Sequence, residues 1–352
     1  MRKPLMATLA VLVTVIVAGS GIALASTRHH RPPRHPRPHP VPSVTASPSA
    51  SPSKPAEPVP TPTQSSTPPV NPPKAGGSCA LPKYPDATCT GVPAGTSLST
   101  VNGDLVITTA NTVVDGKDIH GCVTVKAPGV VIKRSKVSCR NSYVIASSDG
   151  AYNGTGLVVQ DTEIDCGSTS GTAIGDTNFT ATRVNIHDCE NGSDVDQNVT
   201  IEDSYIHNLF NSAQSHTDGI QFAGGHYQIV DGKYVRDSHG NPVELSNAAN
   251  ITIRHNTIYS YNTTDHQDGT SAIISNHGSD VNVLIDSNLM AGGAYTLYCD
   301  QGATGVNYRI TNNHFSRAFH ASVGAYGAMT ACSDEASSGN VIHETGQAAA
   351  RD

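Results

Sequence analysis

Two apolar residues five apart, enclosing mostly polar ones, recur nine times in register along this chain. They are Val114/Ile119, Ile132/Val137, Val159/Ile164, Ala181/Ile186, Ile201/Ile206, Val230/Val235, Ile253/Ile258, Ile285/Met290 and Ile310/Phe315. Successive copies lie 18, 27, 22, 20, 29, 23, 32 and 25 residues apart. That is too little chain for a strand, a crossover helix and their loops in every repeat, but it suits one turn of a coil of strands. Side chains alternate across a strand, so the two anchors point inward and a polar bend between them turns a corner. Each copy is read as one rung of an all-β, single-stranded parallel β-helix of about nine rungs.

Three residues after the first anchor stand Ser135, Thr162, Ser204, Asn256, Asn288 and Asn313. Such small polar residues suit a tight bend, and the asparagines are expected to stack as a structural ladder, tolerating left-handed backbone there. A further strand precedes each anchor pair, read as Thr172–Ile174, Asp194–Asp196, Gly219–Gln221, Val243–Leu245, Ala272–Ile274 and Thr296–Tyr298. The loops entering this strand vary most in length, which is where function concentrates on a rigid scaffold. The nine rungs, over roughly residues 91–346, resemble the pectate-lyase-like superfamily. The resemblance implies a right-handed coil in a secreted bacterial protein, and a polysaccharide lyase, a glycoside hydrolase, an epimerase or a glycan binder.

The repeats begin only after a long preamble. Met1-Arg2-Lys3, the apolar run Leu5–Val17 and the small-x-small site Ala23-Leu24-Ala25 read as a signal peptide over 1–25, with a mature chain from Ser26. The run extended to Leu24 is also long enough for an uncleaved anchor. Residues 26–78 hold 16 of the 22 prolines among Ser, Thr, His and Arg. Such a segment has no apolar face to bury, so a disordered stalk is expected, spanning a cell wall or tethering the domain to a membrane. Residues 79–352 form the β-helix domain. His29, His30, His35 and His39 are read as part of the solvated stalk.

Of the 22 basic residues 14 lie from Cys79 onward, against 28 of the 29 acidic ones. The folded part therefore carries −14, and nucleic acid, which needs a basic surface, is not an expected partner. A monomer is expected. All eight cysteines also lie there, and in an exported chain an even count reads as disulfides. Rung register pairs Cys122 with Cys139 and Cys166 with Cys189, with Cys139–Cys166 as an alternative. Cys79–Cys89 and Cys299–Cys332 would close the two ends.

Chemistry-bearing residues gather on the middle rungs. Directly after the second anchor come His187, His207, Arg236 and Tyr259; on the preceding strand Asp196, Gln221 and Glu244 are expected to face outward. The motif His-x-Asp-Gly occurs as His216–Gly219 and His266–Gly269, with Asp218 and Asp268, about two rungs apart. In a lyase, His207 or His216 would take the proton α to a uronate carboxyl and Arg236 would neutralise that carboxylate. Asp218 and Asp196 would orient the base or ligate a hard cation such as Ca²⁺. In a hydrolase, Asp218 with Glu244 or Asp196 would supply two carboxyl groups. His187, Asp196, Gln221, Tyr259, His266 and Asp268 are expected to contact sugar. A non-catalytic glycan-binding surface protein is the reading from another class.

Ser215–Gln221 is similar to the Asn-Thr-Asp-Gly strand of polygalacturonase-type hydrolases, and Asn276-His277-Gly278 faintly to their Gly-His-Gly. Where that family has Asp-Asp, this chain has Val243-Glu244-Leu245, and Arg309-Ile310-Thr311 stands nearest to its Arg-Ile-Lys. The expected activity is β-elimination on a polysaccharide, with hydrolysis as the alternative. Lys126, Lys133, Arg134, Lys136 and Arg140 read as a solvated basic face on the early rungs.

Overall fold

The structure is a computed structural model and describes residues 79–147, 151, 154–223, 226–227, 229–230, 233–241, 243–245, 247–275, 280–299, 307–332 and 336–351. The leader and stalk assignments and Asn276-His277-Gly278 lie outside the described residues. From Ser99 to Ile342 the chain winds as a parallel β-helix with three faces. No α-helix occurs among the described residues, and none of their helices is long and apolar enough to cross a membrane.

The first face is a nine-stranded parallel sheet carrying the first anchors, from Val113–Asp115 to Ala336–Ser338. The second carries the second anchors, from Ser99–Asn102 to Val341–Ile342. The third runs from Leu105–Ile107 to Gly327–Thr330. The strands Glu163–Gly175 and Asn185–Val195 are long enough to bend from the second face into the third. Eight of the nine anchor pairs lie in the interior, among them Ile132/Val137 and Ile253/Ile258, all fully buried.

The ninth pair, Val230/Val235, is not a rung. Gln197–Glu202 pairs directly with Ala249–Arg254, and Tyr205–His207 with Thr257–Tyr259. After Asp218–Phe222, which stays on the third face, the chain leaves the coil as an excursion before Ala249. His226–Tyr227 pairs antiparallel with Glu244–Leu245, and Ile229–Val230 with Lys233–Tyr234. In sequence Asp-Gly stands at 231–232, outside the described residues, and this dipeptide is a favoured hairpin signal that competes with the chance spacing of two valines. The rung count is restored at the far end by Ser337/Ile342, whose first anchor is polar.

The asparagine ladder is present and buried. The backbone N–H groups of Ser204, Asn256, Asn288 and Asn313 donate to the side-chain oxygens of Asn256, Asn288, Asn313 and Asn340 at 2.9–3.0 Å. Each amide Nδ2 from Asn256 to Asn313 also donates to the carbonyl of Ile201, Ile253 or Ile285 in turn, at 2.9 Å. The left-handed residue is the one before, not the asparagine itself. Gly116, Arg134, Asp161, Arg183, Asp203, His255, Ser287, Asn312 and Gly339 all have φ between 46° and 69°. A second, exposed ladder runs along the corner before the first face, where Asn250, Asn282 and Asn307 each donate to the previous asparagine, starting from Asn198.

Four disulfides join Cys79–Cys89, Cys122–Cys139, Cys166–Cys189 and Cys299–Cys332. The two middle bridges staple consecutive rungs, and Cys139 and Cys166 are not joined. Near the first bridge, Lys83 O accepts a hydrogen bond from His255 Nε2, and the Tyr84 ring lies among His255, His314 and His343. At the opposite end the tail turns back over the last rung. Ala348 bridges Val341 antiparallel, and Ala349 N–H donates to Asn340 O. Three of the five early basic side chains are paired: Arg134 and Lys133 with Asp115, Lys136 with Glu163.

Candidate functional site

The middle of the third face departs from simple alternation. On four successive strands two neighbouring residues are both buried: Gly192/Ser193, Gly219/Ile220, Ala272/Ile273 and Thr296/Leu297. The glycines are needed there, since a Cβ on Gly192 would stand 2.6 Å from Ile206 Cγ2 and one on Gly219 2.3 Å from Ile258 Cγ2. The residues flanking these pairs, three apart, are Asn191/Asp194, Asp218/Gln221, Ser271/Ile274 and Tyr295/Tyr298; Asn191, Asp194, Gln221, Tyr295 and Tyr298 are partly exposed, whereas Asp218, Ser271 and Ile274 are buried.

Asp194 is the hub of this surface. Its Oδ2 accepts from Tyr143 Oη at 2.8 Å and Thr172 Oγ1 at 3.2 Å, and its Oδ1 accepts from Asn191 Nδ2 at 3.2 Å. Asp194 is half-buried as a residue. Burial raises its pKa above the ordinary carboxylate range, against those three hydrogen bonds, and the nearby charge of Asp176 adds to the rise. The Tyr143 hydroxyl is raised too, by burial first and then by Asp194, Asp176 and Asp196. A cluster of acids therefore faces Tyr143.

Asn191 links Asp194 to the next rung: its Nδ2 also donates to Gln221 Oε1 at 2.7 Å, and its Oδ1 accepts from the Asp218 N–H at 3.1 Å. Asp218 lies fully covered. Its Oδ1 accepts from Ser271 Oγ at 2.5 Å, while Oδ2 has no hydrogen-bond partner among the described residues. Burial pushes this carboxyl up to about 7, with Asp194 and Glu190 contributing by repulsion. Tyr295 and Tyr298 meet edge to face at 5.7 Å, and Tyr326, 74% exposed, lies 5.9 Å from Tyr295.

The sequence-predicted cleft is divided between faces. Asp218 and Gln221 belong to the third face, but His187, His207 and Tyr259 belong to the second. His207 stacks on Tyr205 at 4.0 Å and donates from Nε2 to Asn185 Oδ1; burial, with the neighbouring His187, pushes it down to about 4. His187 faces Glu163 and Asp188, whose hydrogen bonds outweigh its burial and raise its pKa. Glu163 falls to about 2, chiefly through its bond to His187.

Arg236 and Glu244 are not on rungs, because the segment that carries them is the antiparallel excursion. Arg236 is exposed and donates to Gly240 O at 2.7 Å; Glu244 pairs by backbone with Tyr227. His216 is exposed in the loop entering the third face, its N–H donating to Glu190 Oε1. Asp196 is buried at the bend after Asn185–Val195, so Asp194, two residues earlier, takes the outward place expected for it. Asp218 registers with Ser271, hence the two His-x-Asp-Gly copies are neither equivalent nor two rungs apart. In the second copy His266 is exposed, and Asp268 accepts from Gly293 N–H and contacts His320 Nε2.

Sequence reasoning missed Asp194, Tyr143, Thr172 and Asn191. Aligning Gly192 with Gly219 would have placed Asp194 beside Gln221, its actual partner. No protein-family model matches the chain, and no curated protein matches it in sequence.

Proposed function

We propose that this chain is an extracellular glycoside hydrolase of the pectate-lyase-like superfamily, acting on a polysaccharide without carboxylate groups. The observation that carries the reading is Asp194: a half-buried residue whose carboxyl is raised in pKa by burial and fixed by Tyr143, Thr172 and Asn191. Burial that favours the protonated form suits this carboxyl to deliver a proton to a glycosidic oxygen. Asp176, whose charge Asp194 feels from the neighbouring rung, is the second carboxyl, activating water or attacking the sugar. Gln221 and Asn191 would hold sugar hydroxyls, and Tyr295, Tyr298 and Tyr326 would offer ring faces.

Charge selects against a uronate substrate. The strands forming the middle of this face, from Tyr143–Ser147 to Tyr295–Tyr298, contain no Lys or Arg, and an acidic cluster repels an anionic chain. Elimination needs a cation beside the uronate carboxylate, and Arg236, expected in that role, stands on the excursion. Export is supported by the four disulfides. Covered as they are, Asp218 and Asp196 are poor candidates for Ca²⁺ ligands.

A panel of neutral and uronic acid polysaccharides tests the proposal. Reducing ends without unsaturation are expected from a neutral polymer, and Asp194→Asn should lower kcat by about 10²-fold or more. Unsaturated products would show a lyase instead, and binding without products would show a glycan-binding module.

A further inference from the structure

On the second face, away from the acidic site, three donors converge. Asp165 and His187 are register partners on adjacent rungs. Asp188 follows with a left-handed φ of 57°, which turns its carboxylate alongside the imidazole, Nδ1 and Oδ2 lying 2.7 Å apart. One donor atom from each of the three residues lies within 4.8 Å of the others. Asp165 and Asp188 each immediately precede a cysteine of the same bridge, Cys166–Cys189, so a covalent staple fixes the two carboxylates side by side.

Each donor is also oriented from its far side. Gly167 N–H donates to Asp165 Oδ1 at 2.8 Å, Ser168 Oγ donates to Asp188 Oδ1 at 3.1 Å, and Glu163 Oε1 faces His187 Nε2 at 3.4 Å. A histidine whose second ring nitrogen is held by a carboxylate is the usual arrangement behind a metal-ligating imidazole. With Nε2 facing Glu163, Nδ1 is the ring nitrogen turned toward Asp188 Oδ2, on the side where the three donor atoms converge.

We propose that Asp165, His187 and Asp188 form a binding site for a divalent transition metal of the Zn²⁺ type. One imidazole nitrogen with two carboxylate oxygens suits Zn²⁺ or Mn²⁺ better than Ca²⁺, which prefers an all-oxygen shell. Asp165 also borders an open depression of about 470 Å³ with Asp104, His120 and Arg140, which gives an ion access. Bound there, the metal ties the third rung to the fourth, beside the disulfide that already joins them.

The test uses the full chain with its disulfides intact, stripped with chelator and titrated calorimetrically with ZnCl₂. The stalk histidines contribute the same background to every variant. Wild type should take up one equivalent more than His187→Ala, and Asp165→Asn should weaken that equivalent at least about tenfold. Excess CaCl₂ should not displace it, and Zn²⁺ should raise the melting midpoint of wild type but not of either variant. Asp188→Asn serves in place of His187→Ala if the latter melts early without metal. Equal stoichiometry and affinity in wild type and variants would show that only a proton sits between His187 and Asp188, and would overturn the site.

Discussion

At Asp218 burial creates a pH dependence whose sign follows from the fold. The native environment favours the protonated carboxyl, raising it from 3.8 to about 7. Stability from this residue is therefore full below its unfolded pKa and is lost as pH rises through about 7. Wild type should lose stability between pH 4 and pH 7, whereas Asp218→Asn, which cannot ionise, should have a flatter profile and be the more stable at pH 8. Urea unfolding at the two extremes would measure this; identical slopes would mean that Oδ2 finds a partner. Asp218, read from the sequence as a catalytic carboxyl or cation ligand, is thus a covered group. The sequence showed that Asp218 and Gln221 share a strand, but not that Gly192 and Gly219 would turn two consecutive residues inward and bring Asp194 to the surface. Small residues permit that bend without announcing it.

Among elements, the buried and exposed asparagine ladders allow a controlled comparison. Asn288→Ala would strand the N–H of Asn256 and Ile253 O in the interior and remove one of the two bonds donated by the Asn256 amide, a loss of about 3 kcal/mol. Asn282→Ala on the exposed corner should cost less than about 0.5 kcal/mol. Denaturation midpoints that fell equally would refute the distinction. The buried ladder was legible because its residues stand three after an apolar anchor; the exposed one precedes a strand whose start no anchor marks. Similarly, Val230/Val235 mimicked a rung because two valines five apart occur in a hairpin as readily as in a coil. Since the flanking rungs already pair with each other, replacing residues 224–246 by a short linker should move the melting midpoint by no more than about 4 °C. Loss of the strand signal in circular dichroism would show instead that the excursion holds the coil together.

For the whole molecule, the repeat conveyed the architecture and the two middle cysteine pairings together, because one register determines both. Which face would carry chemistry was less accessible, since it depends on how loops of unequal length bring outward residues together. The two ends of the coil are not alike. The first rung leaves Leu98, Val106 and Val113 exposed at 36–56%, and its strands are paired on one side only among the described residues. The last rung is crossed by residues 343–351, running antiparallel to Val341. An open parallel edge at one end and a matching edge at the other would let copies add head to tail without closing, and so grow into fibres. The returning tail denies the second of those edges. Truncation after Ile342 should accordingly convert a dispersed protein into one that polymerises with concentration, each molecule continuing the winding of the one before it.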